Sequence, residues 1–477
     1  MVVGSLQVET DVLVIGAGPG GYVAAIRAAQ LGKTVTLVDR EKALGGICLQ
    51  KGCIPTKALV HASDYFHTLQ ELDAMGILVK EYHVDIGKMM AWKDGILERL
   101  DKGIHLLCEK NGIDIIVGTA TFISSNEVHI GGKSDINSII FRQAIIATGS
   151  SPVEIPNFPF SHEKILSSSE ALSLAKLPET LIIIGGGYIG TEMGTVYGKL
   201  GSTVHIIEKG DRLIPSIEEE LVRVVEQRLK NFNIHPHYRS TAVAFSEKEG
   251  SMTVTYEEQG VKKALTGDCV LVVVGRRPNS QGLGLDHTQV KLDNRGFIIT
   301  DEQMQTSDPA IYAVGDVVGQ PMLAHKASRQ GKVAAEAICG LPAAFDNKVI
   351  PFVVFNDPEI CSVGLTAGQA KEQGYDVLVG RFPFRALGRT MTLNKKDGFI
   401  SWVAEKGSKL VLGMHAVGPS ASELVGEAAL AIEMGATVED IALTIHAHPT
   451  MGESLMEAAE ATMGQAIHIF QPGTKER

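Results

Sequence analysis

A strand, a glycine turn, a helix and a second strand ending in an acid occur twice in this chain, at a constant offset of 169 residues. The first copy runs from the apolar Asp11 to Ile15 through Gly16, Gly18 and Gly21, an alanine-rich helix to Leu31, and a strand ending at Asp39. The second runs from Leu181 to Ile184 through Gly185, Gly187 and Gly190, a helix to Leu200, and a strand ending at Glu208. Leu31, Gly32, Thr34 and Val35 keep the same register onto Leu200, Gly201, Thr203 and Val204. A single turn of this type can be no more than a tight strand-to-helix connection. Two copies with an acid at the same distance specify a pair of dinucleotide-binding units.

The residue types follow from the ligand. The first glycine permits the tight turn, the second lets backbone approach a pyrophosphate, and the third lets helix and strand pack closely. The phosphates sit at a helix N-terminus, where free N–H groups and the positive end of the dipole favour anions. The acid takes the ribose hydroxyls. At the second site, Glu208 opposes the 2'-phosphate of NADP and so favours NAD, although Lys209 and Arg212 lie close by.

With 477 residues the chain is too long for one core. The repeat suggests boundaries: a first unit over 1–150, a second over 151–276, a central segment over 277–345, and a C-terminal domain over 346–477. Ile145 to Gly149 reads as a strand returning to the first sheet, Val272 to Gly275 closes the second unit, and Ile311 to Asp316 is another strand ending in glycine and acid. Strand patterns over Val349 to Phe355, Gly398 to Ala404 and Leu410 to Val417, followed by helices, mark the last domain. The fold class expected is α/β, with two Rossmann-like units and a C-terminal α+β domain.

A net charge of -11 and no basic stripe argue against nucleic acid as a partner. Residues Met1 to Thr10 show no basic segment leading into an apolar core, and no stretch approaches the roughly 20 apolar residues that cross a bilayer. A cytoplasmic protein without a membrane partner is expected.

Six cysteines in this length make no disulfide framework. Two of them, Cys48 and Cys53, stand five apart in the segment Gly45 to Lys57, nine residues after Asp39. In a regular helix that spacing separates the Cα atoms by about 8 to 9 Å, beyond the roughly 7 Å that a disulfide spans. A redox pair therefore needs a distorted helical turn, which Gly52 and Pro55 can supply. A thiolate at a helix N-terminus is also stabilised, as redox cycling requires. The same pair could be two inert thiols or half of a zinc site, but no further ligands lie near in sequence for zinc.

On the glycine turns, Gly46 to Lys57, Ala147-Thr148-Gly149, Gly185 to Glu192, Gly275 to Asn279, Ala313 to Asp316, Met322 to Lys326 and His446 to Thr450, the chain resembles the pyridine-nucleotide disulfide oxidoreductases. Within that family it is most similar to the members that oxidise dihydrolipoamide, and the likeness covers nearly the whole length.

The resemblance implies FAD on the first unit and NAD on the second, with electrons passing from a dithiol through the cysteine pair and FAD to NAD. It implies Cys48 as the thiol that exchanges with substrate and Cys53 as the thiolate facing the flavin. Lys57 and Glu192 would form an ion pair beside both cofactors. Gly16, Gly18, Gly21, Asp39, Lys57, Ala120, Thr148, Gly149, Asp316 and Ala324 would hold FAD, and Gly185, Gly187, Gly190, Glu208, Val243 and Gly275 would hold NAD. No metal is implied. His448 would be the acid/base, reaching the partner subunit's cysteine pair in an obligate homodimer, with Glu453 orienting it and His446 in support.

An imidazole suits deprotonation of a dihydrolipoyl thiol near neutrality, and Pro449 is expected to begin a helix that fixes the ring. The implied partner is a lipoylated acyltransferase or H-protein of a multienzyme complex. A glutathione-reductase-like enzyme, opposed by Glu208, a mercuric reductase, opposed by a tail from Phe470 to Arg477 without cysteines, and a non-catalytic flavoprotein redox sensor are the alternatives. Gln50 and Lys51 replace the family's usual Asn-Val, and Lys51 reads either as a solvated side chain or as a charge depressing a thiol pKa.

Overall fold

The computed structural model describes residues 6–132 and 135–471. The leader reading over residues 1–5 and most of the tail after Phe470 lie outside the described residues.

The first repeat forms a seven-stranded sheet. Its parallel centre pairs Leu6–Ile15 with Val35–Asp39 on one side and Ile136–Ile146 on the other, and Asp114–Val117 extends it beyond Val35–Asp39. Glu127–Gly131 and Thr119–Ser124 continue it antiparallel. Val12, Leu13, Val14, Leu37, Ile145 and Ile146 have no exposed surface, which explains why these strands read as continuous apolar runs rather than alternating ones. The seventh strand, Ile311–Ala313, comes from beyond the second repeat and pairs parallel with Ile136–Ile146, Ala313 against Ile146.

The second repeat forms an all-parallel sheet in the order Ile234–His237, Thr203–Ile207, Thr180–Ile184, Cys269–Val272, Ile165–Leu166. An antiparallel meander, Ser240–Lys248, Ser251–Glu258 and Val261–Gly267, lies between its fourth sequential strand and its last.

The C-terminal part is an antiparallel sheet of Phe352–Val354, Glu359–Gly364, Val411–Gly418, Phe399–Glu405 and Val377–Pro383. Helices Ala421–Met434, Val438–Leu443 and Glu453–Thr462 accompany it. Trp402, fully buried in this sheet, donates its indole N–H to the Leu455 carbonyl at 2.9 Å and so docks helix Glu453–Thr462.

The three bodies are tied by a buried charge. Lys199, at the end of the second glycine-turn helix Tyr188–Leu200, pairs with Asp64 of helix Cys53–Glu71 and, at 2.6 Å, with Asp357 of the C-terminal part. With its side chain almost fully enclosed, the ammonium is compensated on both sides, as a buried charge requires.

Candidate active site

The two glycine turns share one backbone geometry at their matching glycines. Gly16 and Gly185 have φ of +103° and +112°, conformations that a side chain resists. Gly18 and Gly187 cap helices Pro19–Gln30 and Tyr188–Leu200 with the same φ and ψ, -69° and -179°. A Cβ on Gly21 would collide with the Gly16 carbonyl oxygen, and one on Gly190 with the Gly185 carbonyl oxygen. On Gly18 or Gly187 it would meet nothing within 4 Å. The third glycine thus serves packing, and the second leaves open space at the helix N-terminus.

The acids match as well. Asp39 accepts the N–H of Ala17 at 2.6 Å and of Glu41 at 2.9 Å. Glu208 accepts the N–H of Gly186 and of Gly210, each at 2.6 Å. Each carboxylate therefore holds its own turn closed, a task the sequence did not reveal.

A cavity of about 650 Å³ opens from the first turn. It is lined by Gly16, Gly18, Asp39, Cys48, Cys53, Lys57, Ala120, Thr148, Gly149, Asp316 and Ala324, and by Tyr188 and Glu192 of the second unit. Helix Ala324–Ile338 reaches it because Gly331 lets its backbone close onto Gly20, where any Cβ would clash with the Gly20 carbonyl. Gly46, with φ of +58°, closes the floor, since a Cβ there would lie 2.6 Å from the Gly18 Cα. Gly21, Gly185, Gly187, Gly190, Glu208, Val243 and Gly275 lie outside this lining. Val243 sits on strand Ser240–Lys248, where its carbonyl accepts the Asn157 side-chain amide at 3.1 Å.

Cys48 lies in the short helix Gly46–Lys51 and Cys53 opens helix Cys53–Glu71. The break falls at Gly52, with φ -151° and ψ -107°, and supplies the distortion that the five-residue spacing demands. Both residues are free thiols, close enough for one to hydrogen-bond the other. That bond raises the Cys48 pKa, with burial adding to it, and lowers that of Cys53. The Lys57 ammonium lowers Cys53 further, and the helix N-terminus acts in the same direction. Lys57 bonds to the buried Glu192 at 2.9 Å. Lys51 instead faces Glu41 at 3.6 Å, both side chains more than half exposed, which matches the solvated reading.

Two residues that the sequence left without a role brace the cavity wall. Ser150 Oγ donates to Asp316 at 2.5 Å and accepts Arg276 Nε–H at 2.7 Å. Asn279 is locked to Thr148 in both directions, at 2.8 and 2.9 Å. Tyr188, whose hydroxyl pKa burial pushes up to about 12, stands beside Glu192.

His448 and Glu453 lie apart from the same chain's cavity lining. His448 Nδ1 is 2.7 Å from Glu453 Oε1, and Glu453 Oε2 accepts the Thr450 N–H at 2.8 Å. Burial works against the Glu453 charge, but the His448 and Thr450 bonds prevail and its pKa is lowered. Pro449 does not begin a helix, contrary to the sequence expectation: the His448–Pro449 peptide is cis and the helix starts at Glu453. The carboxylate, by gripping Thr450 and His448 together, orients the ring instead. His446 is held at both ring nitrogens, by Glu427 and by the Thr444 carbonyl, each at 2.9 Å.

Residues 10–331 match the family model described as pyridine nucleotide-disulphide oxidoreductase, and residues 350–459 match the dimerisation domain of the same family. The chain belongs to the pyridine nucleotide-disulphide oxidoreductases. The dihydrolipoyl dehydrogenase of Bacillus subtilis is 48% identical over 99% of this chain and 100% of its own. Dihydrolipoyl dehydrogenase 2 of Haloarcula marismortui is 46% identical over 98% and 100%. Among solved structures, an HOCl-induced flavoprotein disulfide reductase from Escherichia coli superposes with a TM-score of 0.85 at 25% identity, over 94% of this chain and 99% of that one. The α/β architecture of this family member is thus an oxidoreductase fold with its dimerisation domain at the C-terminus. Among the described residues no helix is long and apolar enough to cross a membrane, and no cluster of three ligating side chains could hold a metal ion.

Proposed function

We propose that the protein is a dihydrolipoyl dehydrogenase, a cytoplasmic homodimer that oxidises protein-bound dihydrolipoamide and delivers the electrons to NAD. The observation that carries this reading is the Cys48 and Cys53 pair opening into a cavity shared with Lys57 and Glu192, with Cys53 the thiol favoured as thiolate.

The cavity suits FAD: an open helix N-terminus at Gly18 for the pyrophosphate, Asp39 at the end of its strand, and Thr148, Gly149, Asp316, Ala120 and Ala324 along the walls. FAD held there would supply a two-electron acceptor between the cysteine dithiol and a nicotinamide dinucleotide on the second turn. Gly185, Gly187, Gly190, Glu208, Val243 and Gly275 form the nicotinamide-dinucleotide side.

This chain's own residues carry the dithiol half of the reaction. Glu453 holds His448 by Nδ1, which leaves Nε2 to accept a proton from the substrate dithiol. The substrate thiolate attacks Sγ of Cys48 in the oxidised pair, the S–S bond breaks, and Cys53 leaves as a thiolate stabilised by Lys57. The second substrate thiol then attacks the mixed disulfide, closing the lipoyl ring and releasing Cys48 as a thiol. Two thiols are oxidised and one disulfide is reduced. The partner in the cell is a lipoylated acyltransferase or H-protein.

The test is the purified FAD-loaded protein given dihydrolipoamide, with and without NAD. Dihydrolipoamide alone should produce a long-wavelength thiolate-to-flavin absorbance, and NAD should then support turnover with NADH formation. Turnover with glutathione disulfide and NADPH instead would replace this reading by the glutathione-reductase-like one.

A further inference from the structure

The ion pair beside the cysteines is held from outside by one residue. Glu192 is 3% exposed, and its two oxygens have different partners: Oε2 meets Lys57 Nζ at 2.9 Å, and Oε1 accepts the Phe355 backbone N–H at 2.8 Å. The Phe355 ring lies under the same ammonium, with Lys57 Nζ 4.5 Å from its centroid. Phe355 thus grips the carboxylate through its amide and the ammonium through its ring. Its position is fixed from both directions, by strand Phe352–Val354 before it and by the Asp357 bond to buried Lys199 after it.

The two charges of the pair act on Cys53 in opposite senses, the Lys57 ammonium favouring the thiolate and the Glu192 carboxylate opposing it. The thiolate therefore depends on where the ammonium sits, not merely on its presence. A lysine side chain has a flexible four-carbon stem and could rotate about the carboxylate. An aromatic face attracts a cation without neutralising it, whereas a second carboxylate there would cancel the charge that Cys53 feels.

We propose that Phe355 is a positioning residue: through its ring and its backbone N–H it holds the Lys57–Glu192 pair in place beside Cys48 and Cys53, from the C-terminal part of the chain. This rests on the reading of Cys53 as the redox thiolate given above. The proposal adds no electron-transfer step of its own.

The experiment is a pH titration of the long-wavelength thiolate-to-flavin band in the FAD-loaded, dithiol-reduced protein. Phe355→Leu should raise the apparent pKa of the band by about half to one unit, the scale of a partly desolvated cation–π contact. Phe355→Met, nearer in volume, should shift it likewise, and Phe355→Tyr, which keeps a ring, should restore the parent value. In a Lys57→Met background the ring has nothing to hold, so adding Phe355→Leu should move the pKa no further. An unchanged pKa in the Leu and Met variants overturns the proposal alone, and so does a shift that persists without Lys57. A parent protein that shows no such band at any pH overturns the reading of Cys53 and this proposal with it.

Discussion

His448 presents an exposed ring whose Nδ1 is committed to Glu453, an arrangement that suits the proposed role of Nε2 as a base. Replacing His448 by Ala should slow reduction by dihydrolipoamide about a hundred- to ten-thousand-fold, the usual worth of a positioned acid/base. NADH-to-dye activity, which bypasses the dithiol, should change little. Stopped-flow reduction measured beside a dye assay separates the two, and equal losses in both would refute the assignment. At this scale the need for a distorted turn between Cys48 and Cys53 could be read from their spacing, whereas His448 and Glu453 are singled out only through the family resemblance. The bonds of Ser150 to Arg276 and Asp316 could not be read, because they join residues 126 and 166 positions apart in the chain and no periodicity announces them.

Among the elements, the glycine turns show how a backbone requirement becomes visible in a sequence. The three glycines are needed for three separate reasons, a positive φ, an open approach and a close contact, so the pattern survives duplication with its spacing intact. Their variants should differ accordingly. Gly187→Ala adds a Cβ that meets no protein atom and should raise KM for NAD by about tenfold while flavin content and melting temperature hold. Gly190→Ala drives its Cβ into the Gly185 carbonyl and should cost about 1–3 kcal/mol of stability, read as a lowered melting temperature. Melting curves in which the two variants are alike would contradict this division of labour. Strands Glu359–Gly364 and Val377–Pro383 left a weaker trace, since glycines, a proline and mixed burial interrupt their alternation. The start of helix Glu453–Thr462 was misplaced for a different reason: a side-chain carboxylate, not the proline, organises the turn before it.

For the molecule as a whole, His448 stands outside the cavity that its own chain builds around Cys48 and Cys53, while residues 350–459 match a dimerisation domain. If each histidine serves the other subunit's cysteines, two inactive proteins should complement. Mixing His448→Ala with Cys48→Ser, then dissociating and reassociating the subunits, should restore about one quarter of the parent turnover: half of the dimers become hybrids, each with one intact site of two. No recovery despite hybrid formation, verified by mass, would place the histidine in the same chain as its target.

The first sheet begins at Leu6 but receives its seventh strand only at Ile311–Ala313, so the second unit is threaded into the first as an insertion. During synthesis, the strands of the inserted sheet have all emerged by Val272, whereas the earlier sheet still lacks a member. On the ribosome the later-encoded body is therefore the first to have all of its strands, and the N-terminal one stays an unfinished nascent intermediate until some forty more residues have been added.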